Sequence, residues 1–432
     1  MIESSFTRSF ITIGDWRQEG KVRHILFEVI FIAVAAFIAR SEDWIDVVIW
    51  AEEKTDWLKK FCDLPYGIPS ISTFQRVFRA INPKQFEKCF IAWTREISGE
   101  TSGRHVAVDG KTLRGAKEGA NEKSPVHIVS AWCSYNGLSL GGIKTNEKSN
   151  EITAIPELLD LLAVDGSIIT IDAMGTQTKI AEKIVKDNHA DYVFGLKQNQ
   201  PSMFSDVALA TLGVDFEFAK SFEEPEKTNQ KALESAMNIS SIYAKASSNE
   251  DILKALRLAF PDLSFLDLDP QFLQNVEKGH GRIEKRQSIL FSAGSWMQRF
   301  EEWAGLKSIG VIFNTITNIK TGIQSFDYSF YITTLNDVRS FAHAVRQHWG
   351  IEAYHWVLDV SFGEDKSRIR KDNEPQNVAV VRKIVHNLVG VQRTRMADEA
   401  GKTYKPSYKS VRFRALLAEK FLEQVMFEHN LK

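Results

Sequence analysis

Several side chains that could do chemistry recur along one stretch of the chain, residues 346–370. If this stretch is helical, four of them lie at i, i+4, i+7 and i+11 within an arc of roughly 60°: His348, Glu352, His355 and Asp359. Apolar residues flank the arc, and the pattern predicts a helix that is buried almost all round. Because a buried carboxylate is costly unless it is paired, protonated or metal-bound, Glu352 is expected to have partners from elsewhere in the chain.

Two aspartates could be those partners. Asp109 in HVAVDGKTLRG and Asp172 in IITIDAMGTQ each follow a short apolar strand and precede a small residue, so each carboxylate should emerge where a strand ends. A lone aspartate at such a position is commonly a turn or helix cap, but two of them together with Glu352 make a stronger case. Three carboxylates without a thiol are hard oxygen ligands, the type that suits Mg²⁺ or Mn²⁺.

The chemistry that follows is phosphodiester cleavage. Two ions held about 4 Å apart can activate a water and stabilise the leaving oxygen. Lys111 and Arg114, just beyond Asp109, would supply positive charge for the phosphate. A different interpretation makes the polar arc of residues 348–359 a transition-metal site, since imidazoles suit zinc. Four groups on three turns of one helix cannot all surround one ion, which disfavours that interpretation.

The elements that must position these residues change in character along the chain. Residues 1–100 have the apolar period of helices, and the apolar run at 25–39 is interpreted as a buried core helix, since its length of about 15 residues is short for a membrane span. From residue 104 three strands are predicted, with a hairpin turn at Asn136–Gly137. Helices and strands then alternate to about residue 200. This order predicts an α/β fold with a mixed sheet flanked by helices.

Residues 201–335 interrupt that alternation and are interpreted as an inserted module. Its first part is weakly patterned with one plausible helix, and its second part has strand-like runs. Within it, GHGRIEKR carries Arg282, which could contact DNA or lie in a surface hairpin turn, and both interpretations are open. The predicted organisation is therefore a helical domain at 1–100, a core at 101–200 and 336–395, the insertion at 201–335, and a basic helical tail at 396–432.

Composition is that of an ordinary globular protein, with 44% apolar and 25% charged residues. Net charge is −1, which neither supports nor excludes nucleic acid. Three scattered cysteines fit neither a disulfide framework nor a cysteine zinc site and indicate a reducing cytoplasm. The N-terminus does not resemble a signal peptide. The segment from Lys366 to Arg414, however, is basic: it contains 13 Lys and Arg residues but only 4 Asp and Glu residues. This run suits a phosphate backbone, or, beyond Met396, a solvated helical tail.

Taken together, several motifs resemble one family. VDGKTLRGA, NEKSNEITAIPELL, IDAMGTQ, DYVFGLKQNQP, GHGRIEKR and HWGIEAYHWVLDVSFGEDKSRIR look like those of the ISAs1-type DDE transposases, including the H-repeat-associated proteins, within the broader IS4-like group. The segment around GIPSISTFQRVF resembles the helical domain that accompanies them. The resemblance is colinear over most of the chain. It implies a ribonuclease H-like core, with Asp109, Asp172 and Glu352 as the catalytic, metal-binding triad.

The resemblance also implies a reaction and partners. The expected cofactor is Mg²⁺, with Mn²⁺ as a substitute and two ions bound. The expected chemistry is cleavage at insertion-sequence ends by a metal-activated water, followed by strand transfer into target DNA. The partners would be double-stranded DNA, both terminal repeats and target, and a second copy of the chain in a homodimer. The expected location is the bacterial cytoplasm, at the nucleoid when DNA is bound, without membrane attachment.

The sequence departs from the wider group's pattern beside the glutamate. Relatives carry Tyr and Arg before it and Lys after it, whereas Val345, His348 and Asp359 stand here. The phosphate-handling role would then pass to other basic residues or be absent: Arg346, Lys366, Arg368 or Arg370. His348 and His355 could contact DNA, orient neighbouring groups or satisfy buried hydrogen bonds. Trp349 and Trp356 are interpreted as core aromatics. The alternative function is a catalytically inactive, transposase-derived DNA-binding protein.

Overall fold

In the computed structural model, the chain forms two compact units. Unit 1 comprises Met1–Val164 and Trp349–Lys432, and unit 2 comprises Asp165–His348. The residues that the structure describes are 4–18, 20, 22–99, 101–116, 126–145, 151–216, 225–245, 248–259, 270–292, 299–401 and 404–428. Parts of two predicted segments lie outside these ranges: the start of the NEKSN motif, at 146–150, and several portions of 212–271.

The first part of unit 1 is helical, as the apolar period predicts. Its helices are α1 (Ser5–Phe10), α2 (Leu26–Ile38), α3 (Trp44–Glu53), α4 (Thr55–Leu58), α5 (Ile71–Ala80) and α6 (Pro83–Ser98). Helix α2 is buried along its whole length, which confirms that the apolar run is a core helix. Asp43 caps α3 and Asn82 caps α6 by accepting hydrogen bonds from backbone amides of the first turn. No helix in the described part of the chain is long and apolar enough to cross a membrane.

Three antiparallel strands follow in unit 1, in the order β3-β2-β1. They are β1 (His105–Thr112), β2 (His127–Cys133) and β3 (Leu138–Thr145). The β2–β3 turn contains Asn136 and Gly137, and Gly137 has a φ of 68°, a conformation that glycine adopts without strain. The predicted hairpin is therefore confirmed. Helix α7 (Glu151–Leu161) follows β3 and packs on β2 and β3.

Unit 2 contains a mixed sheet with strand order β4-β5-β9-β8-β7-β6. Its strands are β4 (Ile168–Ile171), β5 (Asp191–Leu196), β6 (Gln271–Gly279), β7 (Arg282–Ser292), β8 (Ser308–Asn318) and β9 (Gln324–Thr333). Strands β4 and β5 are parallel and are joined through α8 (Thr178–Glu182), which continues as a π-helical turn, Lys183–Asp187. Strand β9 pairs antiparallel with β5, so the strands of the predicted insertion extend this sheet.

The predicted insertion is more regular than its sequence indicates. Besides α11 (Asn249–Ala259), where one helix is predicted, the structure has α9 (Pro201–Leu212) and the 21-residue α10 (Pro225–Lys245). Strand β6 is also additional. The predicted helix is therefore confirmed, and the expectation of a single helix in the first part of the insertion was incomplete. The polar faces of α10 obscure its apolar stripe, and tertiary packing stabilises it through buried Ala232, Ala236 and Tyr243.

Helix α12 (Val338–Ser361) is the helix predicted from the polar arc, and the boundary between the units falls within it. Its expected burial all round was wrong, because Trp349, Trp356 and Val360 are 57%, 61% and 60% exposed. In unit 1 the helix buries one stripe only, Ile351, Tyr354 and Leu358, in the hydrophobic core. The polar arc marks the border between this buried stripe and the exposed apolar face.

The C-terminal part of unit 1 is helical and packed rather than a solvated tail. It contains α13 (Glu374–Glu399), α14 (Tyr408–Leu417) and α15 (Glu419–Phe427). Val411, Phe421 and Met426 belong to the same core as α2. Three of the basic residues between 366 and 414 are buried, namely Arg382, Lys383 and Arg412, and so do not face solvent. The predicted α/β class, with a mixed sheet and flanking helices, is confirmed.

Candidate active site

Asp109 lies on β1, in unit 1. The strand is anchored by three fully buried residues, Val106, Ala107 and Val108, which pair with β2. The expectation that Asp109 ends the strand was wrong, since β1 continues through Thr112. Its carboxylate, 23% exposed, has Oδ2 at 3.5 Å from Nδ1 of His355 on α12. Two residues of the predicted site, one from a strand and one from the polar arc, are therefore in contact.

Lys111 is paired from the same face of β1, because alternate residues of a strand share a face. Its ammonium lies 2.5 Å from Asp359 Oδ1 and 2.5 Å from Oε2 of Glu364, and the Lys111 side chain is only 11% exposed. Burial raises the pKa of Asp359, and the hydrogen bond from Lys111 opposes that rise. Lys111 was predicted to meet DNA phosphate, but in this structure two carboxylates of the same unit take its charge.

Glu352, the third predicted ligand, is exposed on α12, so its expected burial was wrong. Partial desolvation nevertheless raises the pKa of its carboxyl group. In the helix Glu352 stands one turn before His355, on the same arc. A carboxylate that reaches solvent can receive a metal ion without first losing a protein partner.

Asp172 directly follows β4, in unit 2, as predicted. Its Oδ1 accepts hydrogen bonds from the backbone amides of Met174, at 3.0 Å, and Gly175, at 3.3 Å, and so caps a short 3-10 helix. The side chain of Asn199 donates to Ala173 O and fixes the same turn. The cap occupies one oxygen only. Oδ2 of this exposed residue has no hydrogen-bond partner among the described residues and is available to a ligand.

His348 is also held in unit 2. Its Nδ1 is 2.8 Å from the hydroxyl of Thr170, which lies on the same face of β4 as the position of Asp172 two residues later. Burial lowers the pKa of His348, and the negative charge of Asp172 opposes this. The imidazole therefore favours its neutral form. Of the roles left open for His348, the structure shows a hydrogen bond to a neighbouring side chain, in a partly buried position.

The basic residues predicted to contact DNA differ in their surroundings. Lys366 and Arg368 are exposed on the segment between α12 and α13. Arg370, on the same segment, donates to Gly115 O at 3.1 Å, and Arg114 lies 3.9 Å from Asp365. In unit 2, Arg346 pairs with Glu277 at 3.4 Å and Arg282 pairs with Glu284 at 2.6 Å.

Arg282 stands at the start of β7, in a tight hairpin with β6. His280 and Gly281 form the turn with φ angles of 50° and 74°, as such two-residue turns require. The hairpin interpretation of GHGRIEKR is thus confirmed. Contact of Arg282 with DNA stays a prediction.

One residue of the site was missed. Glu364 lies in a 3-10 turn and is 4% exposed, yet its carboxylate binds Lys111. The sequence SFGEDKSRIR has no apolar periodicity that would predict the burial of Glu364, because a turn can bury a single residue without a repeating pattern. The only signal was the need of an acidic partner for a lysine next to buried strand residues.

Among the residues that the structure describes, no group of three or more His, Cys, Asp or Glu side chains is arranged to hold a metal ion. The donor chemistry of the separate parts is nonetheless that of a hard-cation site. Asp172 offers an open carboxylate oxygen, Glu352 an exposed carboxylate, and Asp109 a partly exposed one. These oxygens suit Mg²⁺ or Mn²⁺ rather than a soft metal.

Fold and site together define an α/β protein that carries one acidic residue within a strand, one directly after a strand and one on a later helix. Comparison with known proteins identifies the group. Residues 100–388 match the family described as Transposase DDE domain, and residues 7–94 match the DDE_Tnp_1-associated family. The chain belongs to the family of transposases with a DDE domain, which confirms the resemblance found in its motifs.

Two relatives found by sequence agree with this assignment. The chain is 37% identical over 382 residues to "Putative transposase YncI" of Escherichia coli O157:H7, covering 87% of this chain and 85% of the relative. It is 34% identical over 382 residues to "H repeat-associated putative transposase YhhI" of Escherichia coli K12, covering 87% and 88%. A solved piggyBac transposase synaptic complex with hairpin DNA aligns with 98% of this chain and 82% of that chain, at 10% identity and a TM-score of 0.39.

Proposed function

We propose that this protein catalyses metal-dependent cleavage of DNA strands at the ends of an insertion sequence and transfers the freed strands into target DNA. The observation that supports this most is the family match over residues 100–388, the span that contains Asp109, Asp172 and Glu352. Each of the three is a carboxylate with solvent access, which a residue that must meet both an ion and a phosphodiester requires.

Asp109, Asp172 and Glu352 would hold a pair of Mg²⁺ ions, and the metal would supply an activated water and charge stabilisation at the phosphate. The chain's own residues then orient the carboxylates. His355 contacts Asp109 Oδ2, and the amides of Met174 and Gly175 fix Asp172 through Oδ1. These contacts limit rotation of two ligands and leave the other oxygen of Asp172 open.

The substrate would be double-stranded DNA, both the terminal repeats and the target, and a homodimer would join two ends. Lys366 and Arg368 are the strongest candidates for phosphate contacts because both are exposed. Four other candidates already have a partner within the protein, and each would have to exchange that partner for phosphate: Arg370, Arg114, Arg346 and Arg282. The proposed location is the cytoplasm.

The test is a cleavage assay with purified protein and a plasmid that carries the DNA flanking its gene. Wild-type protein should nick or join this DNA in Mg²⁺ or Mn²⁺ and not in EDTA. Asp109→Asn, Asp172→Asn and Glu352→Gln should each abolish cleavage while the protein remains folded and binds DNA. Asp56→Asn is the matched control, because Asp56 is fully exposed on α4. DNA binding by the wild type without metal-dependent cleavage would favour the inactive DNA-binding protein instead.

A further inference from the structure

The face of β1 opposite Asp109 carries a buried polar chain. Alternation along the strand places Asp109 and Lys111 on one face and Gly110 and Thr112 on the other. The Thr112 hydroxyl lies 2.8 Å from Nδ1 of His127, and Nε2 of His127 lies 2.6 Å from Oε1 of Glu151. In a neutral imidazole that donates from Nε2 to the carboxylate oxygen, Nδ1 accepts from the hydroxyl of Thr112.

This row of hydrogen-bonded side chains connects three elements. Thr112 and His127 form the last ladder pair of β1 and β2, and Glu151 begins α7. The His127 and Glu151 side chains are only 3% and 5% exposed. Burying a carboxylate and an imidazole is costly, and the cost is offset only where their hydrogen bonds are well formed. The arrangement therefore rigidifies this end of β1.

The side chains of His127 and Glu151 pack closely on β1 at Gly110. A Cβ atom at Gly110 would lie 2.3 Å from Glu151 Oε1 and 2.5 Å from His127 Nε2. Only glycine leaves room for the pair, although Gly110 has an ordinary strand conformation. Glu151 Oε1 and His127 Nε2 thus lie directly against the backbone of Gly110, the residue after Asp109.

We propose that Glu151 and His127 are positioning residues for the carboxylate of Asp109. The inference rests on the proposed function, in which Asp109 is a metal ligand. The pair fixes the backbone at Gly110 from one face, while the Lys111 pairs with Asp359 and Glu364 fix the next residue from the other. A ligand on a strand clamped from both faces keeps its geometry, and loss of such support typically costs metal affinity.

Unit 1 offers a matched control for a purely structural role. Glu87 and Lys383 form another buried ion pair, at 2.9 Å, with side chains 7% and 4% exposed. Glu87 also accepts from the amide of Gly142 on β3. This pair joins α6, α13 and β3 and makes no contact with Asp109 or Gly110 among the described residues. Its loss should lower stability without changing the metal site.

The experiment measures Mn²⁺ binding to the full chain by electron paramagnetic resonance, together with the thermal midpoint and the Mg²⁺ concentration for half-maximal DNA cleavage. Glu151→Ala should weaken Mn²⁺ binding by about 10- to 100-fold and raise the Mg²⁺ requirement. Glu151→Gln keeps an acceptor for His127 Nε2 and should restore most of the affinity. Glu87→Ala should lower the thermal midpoint and leave both metal readouts at the wild-type value.

Thr112→Val provides a milder variant in case Glu151→Ala does not fold. It removes the hydroxyl at the outer end of the chain with little change of volume, and should weaken Mn²⁺ binding less than Glu151→Ala. Wild-type affinity in folded Glu151→Ala or Thr112→Val, or equal losses in Glu87→Ala, would overturn the inference. Absence of Mn²⁺ binding in the wild type would also overturn it. Cleavage by the wild type with unchanged metal dependence in the variants would overturn the inference and leave the proposed function intact.

Discussion

The ammonium of Lys111 lies 2.5 Å from the carboxylate of Asp359, and Glu364 holds the same ammonium from a turn beyond the helix. Removing the cation would leave Glu364, 3% exposed, without its ionic partner. We expect Lys111→Met to lower the free energy of unfolding by about 3–5 kcal/mol, the usual cost of breaking a buried pair on one side. Urea denaturation followed by circular dichroism measures it.

Lys84→Met is the control for that substitution. Lys84 pairs with Glu157, but its side chain is 81% exposed. Its replacement should change the free energy of unfolding by no more than about 0.5 kcal/mol. Equal effects of the two substitutions would contradict the view that Lys111 is an internal structural cation.

His355 should matter for the reaction through its contact with Asp109. His355→Gln removes the imidazole whose Nδ1 lies 3.5 Å from Asp109 Oδ2. Less restraint on the carboxylate should weaken Mg²⁺-dependent cleavage by about 10- to 100-fold, in line with other groups that orient metal ligands. His189→Gln is the matched control, since His189 pairs with Asp165 on the surface, with side chains 73% and 77% exposed. Undiminished cleavage by His355→Gln would remove His355 from the site.

The exposed basic segment between α12 and α13 predicts a salt-dependent contribution to DNA binding. Lys366→Ala and Arg368→Ala should each weaken binding to every DNA sequence to a similar degree. Each should reduce the slope of log affinity against log salt by about 1, the loss of one phosphate contact. Fluorescence anisotropy between low and moderate salt measures the slope. Lys59→Ala, which removes an exposed lysine at the end of α4, should leave it unchanged.

His386 should make the protein sensitive to acid. It is fully buried against Tyr408 and Trp132, and burial lowers its pKa from 6.5 to about 3. Below pH 6.5 the unfolded chain binds a proton at His386 that the folded chain does not bind. The contribution of neutral His386 to the free energy of unfolding is therefore complete above pH 6.5 and is lost as the pH falls towards about 3. The loss approaches about 1.4 kcal/mol per pH unit.

Urea denaturation of wild type and His386→Gln at about pH 7, 6 and 5 tests this linkage. The variant should be less stable than the wild type at neutral pH because the ring packing is lost, and its stability should fall less steeply as the solution is acidified. Parallel pH dependence in the two proteins would show that other groups carry the acid sensitivity.

Much of the fold follows from local sequence patterns. The buried α2, the β2–β3 hairpin at Asn136–Gly137 and the strands β4 and β5 were predicted because each has an apolar run or a turn dipeptide with a defined conformation. Helix α10 and strand β6 were not predicted. Their sequences are polar over most of their length, and packing against the rest of unit 2 decides their conformation.

The sequence by itself determined which residues are proposed for the site: Asp109, Asp172 and Glu352 stand in motifs whose residue types and order are visible without coordinates. Only the tertiary structure decided what surrounds them. It paired Lys111 with Asp359 and Glu364, brought His355 to Asp109, and exposed the tryptophan face of α12. Periodicity reports which face of an element is apolar, whereas contacts between residues hundreds of positions apart depend on how the elements pack, and no local pattern encodes that packing.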